Sequence, residues 1–121
     1  LPIQYAFAYP ERISLSSGRL DLLSHKLEFF EPDTEKFRCL ALAFEAIGRG
    51  GNMPCILNAA NEVVNRGFLE GRCGFLQMSD IIAKTMERVA FDANPTYETY
   101  TATDAEARRV AAELMEGLRR A

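Results

Sequence analysis

Histidine is almost missing from this chain: one residue in 121, at position 25. Imidazole chemistry therefore has a single representative, and a metal centre would have to rest on other donors. Cysteine does not supply them, because Cys39, Cys55 and Cys73 lie far apart rather than at the two-to-four-residue spacing of a zinc knuckle. Their odd number cannot close a complete set of internal disulfides, so a reducing, cytoplasmic setting is expected. Apolar runs are short: none approaches the ~20 residues that span a bilayer, and no basic-then-apolar leader opens the chain, so no membrane partner is expected. Positive charge is not in excess either. The net charge is −3, with Lys and Arg scattered among acids, which argues against nucleic acid as a partner. The first residue is Leu1 rather than Met, and the expectation is that the chain is cut from something longer.

What is present is ordinary globular material, 48% hydrophobic and 26% charged, enough for one core of modest size. Pro2 suits a first helical turn and Pro10 must end it, which predicts a short helix over 2–9. An apolar strand competes there, since Ile3, Tyr5 and Phe7 alternate with Gln4 and Ala6. Residues 10–26, with "SLSSGR", have no sustained period and read as an irregular connector. "KLEFFEP" is expected to form one short strand closed by Pro32.

From there the period becomes helical. Asp33 or Thr34 is expected to cap a helix whose Phe37, Leu40, Ala41, Phe44 and Ile47 share a face, and "GRGG" at 48–51 ends it. A second helix is expected from about Pro54 to Phe68. A third is expected from a Ser79 cap, with Ile82, Met86 and Val89 in a stripe. "NPTYETYTA", 94–102, reads as a polar linker. "TDAE" at 103–106 has capping-box spacing and would open a fourth helix carrying Ala107, Val110, Ala111, Leu114 and Leu118 on its apolar side. The predicted fold is mainly α: a bundle of about four helices, preceded by a short helix and one short strand.

Catalytic constellations are weak. Asp21, Ser24 and His25 contain the residue types of a triad, but as near neighbours they are expected to form a solvated turn, and there is no nucleophile elbow. Glu28 and Glu31 flank an aromatic pair and read as exposed charges rather than an acid–base couple. The glycines of "GRGG" follow a helix, whereas a dinucleotide fingerprint follows a strand and opens a helix, and the Lys and Ser or Thr of a P-loop are missing. Cys39 and Cys55 read as small apolar residues in helices. No catalytic, cofactor-binding or metal-ligating residue is therefore assigned.

One stretch stands apart. In "NAANEVV", 58–64, the helical period puts Ile56, Ala59, Ala60, Val63 and Gly67 on one arc and Asn58, Asn61, Glu62 and Asn65 on the opposite one. The small residues allow close helix approach, and the amides with one carboxylate suit hydrogen bonding to another domain. These four polar residues are the candidate interdomain contacts, with hydrogen bonding to another helix the allied reading and a merely solvated face or a direct catalytic role the competing ones.

The segments "LPIQYAFAYPERI", "LDLLSHKLEFFEPD", "FRCLALAFEAIGRGG" and "ILNAANEVVNRGFLEGRCGFLQMSDI", in this order and spacing, resemble the C-terminal part of the 1-deoxy-D-xylulose 5-phosphate reductoisomerase family. The resemblance is strong to about Val89 and looser through the last helix. It implies a parent enzyme that uses NADPH and Mg²⁺ or Mn²⁺ to convert 1-deoxy-D-xylulose 5-phosphate to 2-C-methyl-D-erythritol 4-phosphate in non-mevalonate isoprenoid synthesis. The parent would be a homodimer with NADPH-binding and catalytic domains upstream. It further implies that residues 1–33 are the end of the catalytic domain plus a linker, and that 34–121 are the C-terminal bundle. The family's cofactor loop, acidic metal ligands and substrate contacts belong upstream of Leu1, so the chain alone is expected to be inactive and to bind no cofactor. A free-standing helical interaction module with no enzymatic parent is the alternative.

Overall fold

The structure, a computed structural model, describes residues 2–14, 16, 18 and 21–118. Among the described residues there are five helices: α1 (Pro2–Ala8), α2 (Arg38–Arg49), α3 (Met53–Leu69), α4 (Phe75–Arg88) and α5 (Tyr97–Leu118). The chain divides into two compact units, Leu1–Glu31 and Pro32–Ala121.

In the first unit, α1 is followed by a turn in which the Glu11 amide donates to the Ala8 carbonyl. Tyr5 and Tyr9 meet edge to face at 5.8 Å, and the Arg12 guanidinium sits 4.8 Å from the Tyr5 ring centre. No residue of α1 is buried, and Ile3, Phe7, Phe29 and Phe30 are exposed. The predicted connector over 10–26 is irregular where described; its positions 15, 17, 19 and 20, like Leu1, lie outside the described residues. The predicted strand at 26–32 does not form. A strand satisfies its backbone only through a neighbour, and among the described residues no second strand offers a ladder.

The second unit is a four-helix assembly organised around α3, which packs against α2, α4 and α5, while α4 also packs on α5. Its core joins Leu42 and Ala46 of α2, Met53, Ile56, Ala59, Ala60 and Val64 of α3, Ile81, Ile82 and Met86 of α4, and Ala107, Val110, Ala111 and Met115 of α5. Full burial of a side chain such as Ile56 or Ile81 contributes about 1.5–3 kcal/mol each. The small residues predicted for one arc of α3 do permit close approach. A Cβ on Gly67 would come within 2.2 Å of Met115 Sδ, so the end of the buried Met115 side chain of α5 lies directly on this glycine and would have to shift for any larger residue.

Several boundaries shift from expectation, each for a local reason. Asp33 does cap, but it caps a turn: its Oδ1 accepts from the Lys36 amide at 2.9 Å, and α2 starts only at Arg38. On α2 the stripe Phe37, Leu40, Phe44 and Ile47 shares a face as the period predicts, yet the packed side is that of Leu42 and Ala46. On α3 Val64, rather than Val63, is fully buried. Helix α4 starts at Phe75, where the Gly74 amide donates to Gln77 Oε1 at 2.8 Å, and Ser79 lies inside it with its hydroxyl on the Leu76 carbonyl. Cys39 is exposed and Cys55 half-buried, so neither is a core residue; Cys73 is.

The largest shift concerns α5. The supposed linker is its first turns, capped by Thr96, whose Oγ1 accepts from the Thr99 amide at 3.2 Å. Thr103 therefore is no cap. It sits buried in mid-helix, and its hydroxyl accepts a 3.1 Å hydrogen bond from Asn52 Nδ2.

That Asn52 is the polar centre of the unit. It is 1% exposed, at the entry to α3. Nδ2 also donates to the Ala90 carbonyl at 3.0 Å, Oδ1 accepts from the Asp92 amide at 2.9 Å, and its own amide donates to the Asp92 carbonyl at 2.9 Å. Gly51 makes this approach possible, because at φ +54° a Cβ there would lie 2.2 Å from the Asp92 carbonyl oxygen. Asn52→Ala would leave the buried Thr103 hydroxyl and two partly buried backbone groups, the Ala90 carbonyl and the Asp92 amide, without their partner, and is expected to cost about 2 kcal/mol in urea unfolding. Asn65→Ala, on the exposed face of the same helix, should show no loss, since alanine is the better helix former. Equal effects of the two changes would contradict the assignment.

Candidate functional site

The 3.6-residue period of α3 decides which side chains leave the core, and all four candidate contacts, Asn58, Asn61, Glu62 and Asn65, are exposed opposite Ile56, Ala59, Ala60 and Gly67. Asn58 Nδ2 donates to Glu62 Oε1 at 3.2 Å, one turn on. Glu62 Oε2 accepts from Arg108 Nη2 of α5 at 2.7 Å. Arg108 is oriented from its own helix by Asp104, whose carboxylate takes both Nε (2.7 Å) and Nη2 (3.1 Å) in a forked pair. The row Asn58–Glu62–Arg108–Asp104 thus ties the polar edges of α3 and α5 together. Asn61 and Asn65 make no side-chain hydrogen bond among the described residues, and with Arg66, Leu69, Arg72 and Arg108 they line an open groove of about 620 Å³.

The electrostatics follow the geometry. The Arg108 hydrogen bond and charge, then Asn58, hold the Glu62 carboxyl below its ordinary value. Asp104, followed by Glu62, raises the Arg108 guanidinium, so the Glu62–Arg108 pair stays ionised at neutral pH. Burial pushes the Cys55 and Cys73 thiols up, away from thiolate reactivity.

The other sequence candidates do not assemble into a site. His25 Nδ1 lies 2.8 Å from the backbone carbonyl of Asp21 and 3.1 Å from Ser24 Oγ, while the Asp21 carboxylate accepts the Leu23 amide. The three form a local turn, with no carboxylate behind the imidazole. Glu28 and Glu31 are exposed. Gly50 and Gly51 have positive φ and serve the α2–α3 turn. Among the described residues no three His, Cys, Asp or Glu converge as metal ligands, and no helix is long and apolar enough to cross a membrane. The sequence reading missed Arg108 and Asp104. Their four-residue spacing within one helix is a legible signal, whereas the reach of Arg108 to Glu62, 46 positions away, is not.

Residues 1–110 match the family described as DXP reductoisomerase C-terminal domain. The chain belongs to this family. It is 64% identical over 116 residues to the 1-deoxy-D-xylulose 5-phosphate reductoisomerase of Bacteroides thetaiotaomicron, which covers 95% of this chain and 30% of that protein. With the Cellvibrio japonicus reductoisomerase the identity is 46% over 115 residues, 94% of this chain and 29% of the relative. Among solved structures, the Zymomonas mobilis reductoisomerase in complex with NADPH superposes with a TM-score of 0.72 at 39% identity, over 95% of this chain and 31% of that one. A DOX-P reductoisomerase in complex with magnesium gives 0.73 at 30% identity, over 97% and 32%. The chain spans about 30% of the length of the reductoisomerases it matches, and corresponds to their C-terminal region.

The Glu62–Arg108 pair of this reductoisomerase C-terminal domain is exposed, so Glu62→Gln is expected to lower the melting temperature by no more than about 3 °C at pH 7. Because the native carboxyl titrates below the ordinary 4.5, its stabilisation is complete above the unfolded-state pKa and disappears as pH falls through the native value. The difference in melting temperature between the two proteins should therefore shrink as the pH is taken below about 4.5. A difference that survives unchanged at pH 3 would exclude the carboxylate as its source.

Proposed function

We propose that this chain is the non-catalytic C-terminal region of an NADPH- and divalent-metal-dependent enzyme that rearranges and reduces 1-deoxy-D-xylulose 5-phosphate to 2-C-methyl-D-erythritol 4-phosphate. The observation that carries the reading is 64% identity across almost the whole chain to under a third of a reductoisomerase. The residues present do not fit either cofactor. The glycines close a helix-to-helix turn rather than opening a helix after a strand, and the acids Glu62, Asp104, Glu106 and Glu113 are engaged by Arg108 and Arg109. NADPH, Mg²⁺ or Mn²⁺ and substrate would therefore be held upstream, in the portion that relatives carry beyond the matched 30%. The parent would act as a cytoplasmic homodimer.

The part of this chain is support. Residues 1–33 would end the catalytic domain and link it to the bundle of 34–121. The exposed face of α3 would hydrogen-bond to the domains upstream. Glu62 and Asn58 are already committed within the chain, so Asn61 and Asn65 are the amides free to bond outward. A solvated face would leave them idle.

The full-length protein should consume NADPH when given 1-deoxy-D-xylulose 5-phosphate and Mg²⁺, and this chain alone should not. In the full-length enzyme the double change Asn61→Ala, Asn65→Ala should lower the melting temperature by roughly 3–8 °C or reduce turnover severalfold, with little effect on the isolated chain. Turnover by the isolated chain, or an unaltered full-length double variant, would refute the respective half of the reading.

A further inference from the structure

We draw no further inference here: the strongest candidate, the open groove beside α3 and α5 lined by Arg66, Arg72 and Arg108, belongs to the polar face already described, and two of its three cations are engaged by Glu70, Glu62 and Asp104, so that it offers an anion no built site.

Discussion

The four-helix unit depends on one buried asparagine. Asn52 has two amide hydrogens and a carbonyl to satisfy in a place water does not reach, and they find partners in two other segments: Ala90 and Asp92 in the loop after α4, and Thr103 in α5. An aliphatic residue there would fill the space without fixing which loop or which turn of α5 lies alongside. The amide group is directional, so it sets the register of α5 against the start of α3 and holds the 90–92 loop across the α2–α3 turn. Gly51 complements it by removing the one Cβ that would push Asp92 away. Around this point the apolar stripes of α3, α4 and α5 close, and Gly67 lets Met115 settle between them.

Once that register is fixed, the faces left outside follow from helical geometry. α3 turns its amides and Glu62 outward, and α5 supplies Arg108 beside them. α2, which buries only Leu42 and Ala46 and adds the Arg38–Asp80 ion pair to α4, turns its large side chains away. One outward face is polar and only half committed; the other is apolar and open. Such a domain is stable through α3 yet equipped to adhere to something else, which agrees with a region that makes up under a third of the reductoisomerases it matches. Its contribution to catalysis would then be mechanical, holding a neighbouring active site in shape without touching substrate.

Periodicity made α3 legible in the sequence, along with the stripe of Ile82, Met86 and Val89 on α4 and the apolar side of α5, because these helices bury one face and a single period describes them. It located the α2 stripe as well but not its direction, since a two-sided helix has no single moment that points at the core. The "TDAE" spacing misled for a related reason: capping boxes are local signals, and Thr103 was claimed by a partner 51 residues away. Polar "NPTYETYT" looked like a linker because half of its residues cap or solvate the first turns of α5. "KLEFFEP" has strand-like composition, but strands are made by neighbours, and none is present among the described residues. Of the site, the four polar residues of α3 were readable from spacing, while Arg108 and Asn52 act through contacts that only the folded chain creates.

Native-state hydrogen exchange at Asp92 tests the claim that Asn52 pins the fold. Its amide lies in a loop, where exchange is ordinarily fast, but it donates to Asn52 Oδ1. If the account is right, that amide opens only with global unfolding and exchanges as slowly as those of Val64 in α3 and Ala111 in α5. Exchange of the Asp92 amide at unprotected loop rates, while α3 and α5 remain protected, would contradict it.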